Sequence, residues 1–265
     1  MRLNSKWLAV VLALAILPLT GCSFVSKLKA RDNVNKGVKA FTEMKYDAAA
    51  QFFEKALALD PDFEMARVYL ATSYTSQFVP GSTDPKSEEM AKKGIETFQE
   101  IAVHPRDKGN QKTAMISIAS LYYQLKKYDQ SKEWCNKILQ VDPQNAEAYY
   151  RIAVIDFDDV FEKTGVQGEN VEFMSPEEKA KAQADIDEGI SSLDKALEIR
   201  PTYFDAMDYK NLLWREKAKF EKNPAEKVKL LGEADKISSV ALQLRLKAQE
   251  EEAKKPKKLG NIGGK

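Results

Sequence analysis

The sequence is poor in the residues that enzymes and metal proteins depend on. It holds one histidine, His104, and two cysteines, Cys22 and Cys135. A lone histidine with no cysteine or second histidine nearby is a surface or capping residue and does not make a metal site. Neither sign of charge dominates: 41 basic residues face 40 acidic ones. That balance removes the electrostatic footprint of a nucleic-acid binder. There is no P-loop, no Gly-rich dinucleotide turn, no G-x-S-x-G and no H-E-x-x-H. The frames that cradle phosphate, present a nucleophilic serine or hold zinc on one helix face are therefore missing. No stretch alternates polar and apolar residues for long enough to form a strand. The expectation is a chain with no catalytic residues, no metal and no cofactor.

What is present begins with one apolar run. Arg2 and Lys6 lead into "WLAVVLALAILPLTG", which ends at Cys22, and no acidic residue appears before Asp32. The apolar core, about 11–13 residues, is too short for a comfortable membrane span and has the layout of a signal peptide. Leu19-Thr20-Gly21-Cys22 resembles the lipobox of bacterial lipoproteins. The resemblance implies cleavage before Cys22, a diacylglyceryl group on its sulfur and acylation of its new amine. Two or more acyl chains hold a protein firmly to a bilayer. Ser23, where an aspartate would favour the inner membrane, leans the expectation toward the outer membrane, facing the periplasm. With Cys22 lipidated, Cys135 has no partner in the chain, so disulfides do not hold the fold. Cys135 is expected to be a buried apolar thiol, the alternative being a reactive one.

Beyond residue 30 the chain repeats itself. Gly37, Ala49, Phe53, Ala56 and Pro61 are separated by 12, 4, 3 and 5. Ala119, Ser131, Cys135, Ile138 and Pro143 show the same intervals, and Gly189, Leu193, Ala196 and Pro201 repeat the last three. Gly37 to Ala71 and Ala119 to Ala153 are both 34 residues. Each position has a physical role. A small residue lets two antiparallel helices approach, and the residue 12 on faces it. The residues at the next turns continue that face. Asp60-Pro61, Asp142-Pro143 and Arg200-Pro201 end one helix and start the next. Asp47 and Asp129 sit at the turn inside a pair, where aspartate is a good N-cap.

These residues resemble the tetratricopeptide repeat, closely over 30–63 and 112–145 and partially elsewhere. The resemblance implies an all-α, right-handed superhelix (an α-solenoid) of about five helix pairs. The units fall at about 31–61, 62–105, 110–143, 146–200 and 202–253, following a leader at 1–21 and a lipidated tether at 22–30, with a disordered basic tail at 254–265. Two units carry insertions, the loops 76–88 and 164–176, with Phe78, Val79, Val171, Phe173 and Met174 as apolar groups that fold back over helix ends or make an accessory contact. The acidic cluster Asp156, Asp158 and Asp159 reads as a solvated helix face, since it lacks the oxygen-rich turn of a calcium loop.

In this family the first helix of each pair lines the concave surface. By register, the resemblance puts Val38, Phe41, Thr72, Thr75, Tyr123, Tyr150, Val154, Phe157, Leu212 and Arg215 toward a groove suited to an extended peptide or an amphipathic helix. Val34, Val38 and Phe41 also fit a helix-pair core. Val34 and Val38 stand where a terminal-carboxylate clamp would need polar groups, so that ligand is not expected. The functional expectation is a lipid-anchored, non-catalytic scaffold for protein or peptide partners in the bacterial envelope. It loosely resembles lipoproteins that assist outer-membrane protein insertion or pilus assembly. The alternative is a binder of envelope glycan or lipid through the aromatic groove.

Overall fold

A computed structural model describes residues 5–254, with side chains from Phe24 onward. The side chains of the expected leader and of Cys22, the expected lipidation site, and the tail 255–265 lie outside what the structure describes. Among the described residues there are ten α-helices, one 3-10 turn and no strand. They are α1 (Ser5–Thr42), α2 (Tyr46–Leu59), α3 (Glu64–Thr75), α4 (Pro85–Val103), α5 (Lys108–Gln124), α6 (Tyr128–Val141), α7 (Ala146–Thr164), α8 (Pro176–Ile199), α9 (Phe204–Phe220) and α10 (Pro224–Lys254); the 3-10 turn is Val171–Phe173. The fold is the all-α tetratricopeptide type, helix pair after helix pair. No helix among the described residues is long and apolar enough to cross a membrane. The chain forms two compact units, one ending at Lys127 and one starting at Tyr128.

In the first unit, small residues decide where helices cross. A Cβ on Gly37 would lie 2.6 Å from the ring of Phe53, so α1 and α2 touch nearly backbone to ring. Phe53 is fully buried and stacks on Tyr69 of α3, with ring centroids 5.3 Å apart and planes 11° apart. Burial of such a side chain is worth about 1.5–3 kcal/mol. Ala49 and Ala56 flank it and are also fully buried. Gly94 of α4 plays the same part against Thr75 of α3, and Phe98 and Ile101 continue that face into the core. The corner between α1 and α2 turns at Met44, which takes a left-handed φ of 57°.

Caps fix the ends of α4 and α5. Asp84 accepts a hydrogen bond from the Lys86 N–H at 2.9 Å, with Pro85 at the first helical position, and Asp107 accepts from the Asn110 N–H at 2.9 Å. These bonds satisfy donors that a helix start leaves free. The carboxylate of Glu64, at the start of α3, accepts from the Arg106 N–H at 2.8 Å and the Asn110 side chain at 2.6 Å, tying the α4–α5 corner to α3. His104 is the exposed C-cap residue of α4.

Residues 24–30, within the expected tether 22–30, are helical and continuous with the rest of α1, and Ala30 is the first buried residue among those described. Nothing from Phe24 to Arg31 breaks a helix: there is no proline and no glycine.

The second unit repeats the scheme. Gly189 of α8 lets the backbone approach Leu213 of α9 and Asp156 of α7, where a Cβ would meet their atoms at 2.7 and 3.3 Å. Leu193 and Ala196 follow on the same face, fully buried. On α6, Ser131, Cys135 and Ile138 are buried as their spacing implies. Burial pushes the Cys135 thiol up to about 12, against a smaller opposing effect of Arg151. α8 starts with a full capping box: Ser175 bonds the Glu178 N–H and Glu178 reaches back to the Ser175 N–H. The insertion before it is held down at one end. Lys219 of α9 donates to the Gly165 carbonyl at 2.7 Å and to Glu216 at 2.6 Å, while the Thr164 hydroxyl donates to Glu216 at 2.8 Å. Met174 packs on the core, but Phe173 is 86 % exposed.

Candidate functional site

α7 and α9, the first helices of consecutive pairs in the second unit, lie side by side. Their facing flanks bring aromatic rings together. Tyr150 meets Tyr209 edge-on at 5.4 Å and Tyr203 at 5.1 Å. Phe157, two turns along α7, meets Tyr209 edge-on at 5.6 Å and stacks on Phe161 at 5.4 Å. All but Tyr203 are half-buried, and Tyr150, Phe157 and Tyr209 each offer an edge or face to solvent while their bodies pack on the core. Rings that touch in these orientations hold one another in place, which lowers the entropy lost when something binds across them.

The tyrosine hydroxyls stand in a negative field. Burial raises the Tyr150 phenol, and the neighbouring Tyr209, Asp205 and Glu147 add to it against Arg151. Burial also raises Tyr209, with Asp158 and Asp205 contributing. Tyr203 donates its hydroxyl to Glu147 at 2.6 Å, and Arg200 lies over its ring. The strip is thus a neutral hydrogen-bonding and stacking surface with carboxylates at its margins.

Of the expected groove residues in this unit, Tyr150 and Phe157 come together through Tyr209, and Val154 is half-buried between them on α7. Arg215 does not join them. It bonds Asn211 at 2.9 Å and pairs with Asp235 of α10. In the first unit, Phe41 packs edge-on against Tyr46 and Tyr69 at 5.2 and 6.2 Å. The Thr72 hydroxyl bonds the Val68 carbonyl, the Thr75 hydroxyl bonds the Thr72 carbonyl, and the Thr75 methyl faces Gly94 between the helices of its own pair. Tyr123 is half-buried on α5.

Tyr209 was missed by register, and the reason is geometric. Two helices lying side by side meet through opposite flanks. Copying the position of Phe157 onto α9 lands on Arg215, which faces α10, whereas the ring that touches Phe157 is offset from it. An aromatic six positions before Arg215, within a turn or two, was the available signal.

The acidic cluster is also corrected. Asp156 is not on a solvated face: it is 1 % exposed. Lys132 of α6 donates to it at 2.6 Å and to Glu188 of α8 at 2.7 Å, with Asp185 at 3.6 Å. Burial pushes the Asp156 carboxyl up to about 7. Lys132 works against this, and the charges of Glu188 and Asp185 reinforce it. Burial opposes the Lys132 ammonium, but Asp156 and Glu188 outweigh it and keep it charged. One ammonium shared among three carboxylates holds its own charge easily and neutralises the deepest of them poorly. Asp156, Asp185 and Glu188 are close enough to hold a cation, but the Lys132 Nζ sits among them. The arrangement is a structural ion-pair cluster joining α6, α7 and α8. Asp159 pairs with Lys163 at 2.6 Å and with Lys181 at 3.4 Å, and Lys181, which also bonds Asp185 at 2.8 Å, links it to this cluster.

The tetratricopeptide-repeat family model matches residues 40–63 and 113–145. No curated protein shows a significant match in sequence. Among solved structures, the crystal structure of MamA superposes with a TM-score of 0.54 at 17 % identity, covering 81 % of this chain and 96 % of that one. MamA residues 41 to the end from Desulfovibrio magneticus RS-1 gives 0.54 at 10 % identity, covering 86 % and 98 %. Likeness at these identities is a likeness of fold.

Proposed function

We propose that this chain of tetratricopeptide-type helix pairs is a lipid-anchored, non-catalytic scaffold that gathers protein partners in the bacterial cell envelope. The lipobox at Leu19–Cys22 supports the anchor, and Ser23 favours the outer membrane, facing the periplasm. The observation that carries the binding role is the strip of Tyr150, Tyr209 and Phe157 across α7 and α9: rings fixed by mutual contact and half-open to solvent. Such a surface suits a peptide or helix that stacks apolar side chains on the rings and sets a basic group against Asp158, Asp205 or Glu147. Assembly or secretion of envelope proteins is the process in which a membrane-bound scaffold of this kind would serve.

The test is photo-crosslinking in cells with benzoylphenylalanine at Tyr150 and at Tyr123, alongside palmitate labelling. Protein adducts at Tyr150 that disappear with Tyr209→Ala support the scaffold. Adducts made only of glycan or lipid refute it in favour of a binder of envelope glycan or lipid. Palmitate incorporation that survives Cys22→Ser removes the anchor.

A further inference from the structure

We infer that the two turns of α1 from Phe24 to Arg31 form a contact surface for an anionic lipid bilayer. This deepens the anchoring proposal above and rests on it for the surface's nearness to a membrane. Phe24, Val25 and Leu28 are 65, 48 and 48 % exposed. At about 100° per residue they lie within roughly a quarter-turn of one another, on the side of α1 opposite its buried residues Ala30, Val34 and Gly37. Among the described residues of the first unit, none covers them. α2, at 14 residues, reaches back about 21 Å along α1 and so leaves the start of this segment beyond its end.

Charge favours one occupant. Lys27, Lys29 and Arg31 surround the apolar side chains, and no carboxylate precedes Asp32, whose charge is paired with Lys36 at 2.6 Å. Apolar groups on one face with cations on its flanks is the arrangement that lies in a headgroup layer. The rings and alkyl chains enter the acyl boundary, and the long basic side chains bend out to phosphate. The position agrees: Phe24 follows the proposed lipid-bearing residue by two places. Acyl chains at Cys22 would hold this face at bilayer depth, and each cation near an anionic surface adds about fivefold to the partition. The buried start of the repeat, Ala30, then comes directly above the headgroups.

The experiment uses the full-length chain, made in a host that lipidates proteins and reconstituted in phosphatidylethanolamine–phosphatidylglycerol vesicles. Nitroxide labels are placed at Leu28→Cys and, as a solvent reference on the same side of the helix, at Asn35→Cys. The buried thiol of Cys135 stays unlabelled in the folded chain. The Leu28 label should be shielded from a water-soluble nickel complex and open to oxygen, while the Asn35 label stays open to nickel. The shielded fraction should fall by roughly half or more in neutral lipid or with K27Q/K29Q/R31Q. A Leu28 label as open to nickel as that at Asn35 overturns the proposal. So does shielding in the absence of lipid accompanied by spin–spin broadening, which would mean a second copy covers the face. Mass analysis of the N-terminal peptide keeps the two readings apart. Acylated Cys22 with an open Leu28 label sinks only the surface, and unmodified Cys22 with a shielded Leu28 label sinks only the anchor.

Discussion

Replacing Lys132 by methionine tests the buried charges directly. The ammonium is the cation between Asp156 and Glu188, and the second carboxylate oxygen of Asp156 is already buried without a hydrogen-bond partner. Taking away one partner of a buried pair strands the other, which costs about 3–5 kcal/mol. The loss should depend on pH. Folding raises the Asp156 carboxyl to about 7 from an ordinary 3.8, so the folded chain holds that proton more tightly than the unfolded one. Its contribution is fully present below about pH 4 and is lost as pH rises through about 7; three units of difference amount to about 4 kcal/mol. In Lys132→Met the carboxyl gives up its proton still less readily, so the penalty is greatest near about pH 8 and shrinks toward about pH 5. Asp156→Asn should abolish this part of the dependence and gain on the native chain as pH rises. Lys132→Met/Asp156→Leu should recover much of what Lys132→Met loses. Urea unfolding followed by circular dichroism, and by tryptophan fluorescence, to which Trp134, buried on α6, contributes, measures all four chains. A loss below about 1 kcal/mol at the alkaline end, or one that does not change with pH, would show that Asp156 is not isolated from water as argued.

Two further expectations concern packing. Gly37→Ala forces a methyl into the Phe53 ring and should cost about 1–3 kcal/mol, whereas Gly232→Ala on α10 meets nothing within 4 Å and should gain about 0.5–1 kcal/mol from helix propensity, both read by urea unfolding. Cys135, fully buried with its thiol pushed up to about 12, should react with a disulfide reagent at least about a hundredfold more slowly in the native chain than in denaturant; equal rates would mean that α6 opens freely.

The repeat was legible because steric need leaves a fixed interval. A glycine where helices cross must face a ring or a branched side chain, and Gly37 with Phe53, Gly94 with Thr75 and Gly189 with Leu213 meet that need in space. The residues at the 4 and 3 spacings are core for the same reason. Charge was harder to read. Asp156 belongs to the apolar stripe Ile152, Ile155 and Val160, a helical spacing visible in the sequence, but its aspartate neighbours suggested a wet face. Its partner Lys132 is 24 residues earlier, on another helix, and no local pattern announces a pair that only packing creates. The aromatic strip was half legible for a related reason: a repeat register finds equivalent positions, while a surface across two helices joins positions that are not equivalent.

The unbroken run of α1 from Phe24 into the first pair has a mechanical consequence. Six flexible residues would let a tethered body wander over about 12–15 Å in any direction. The same six as helix are a stiff strut about 9 Å long with one heading. With the proposed acyl chains on Cys22, a cargo held by the first unit would keep a set distance and tilt, and hauling on it would lever those chains instead of merely taking up slack.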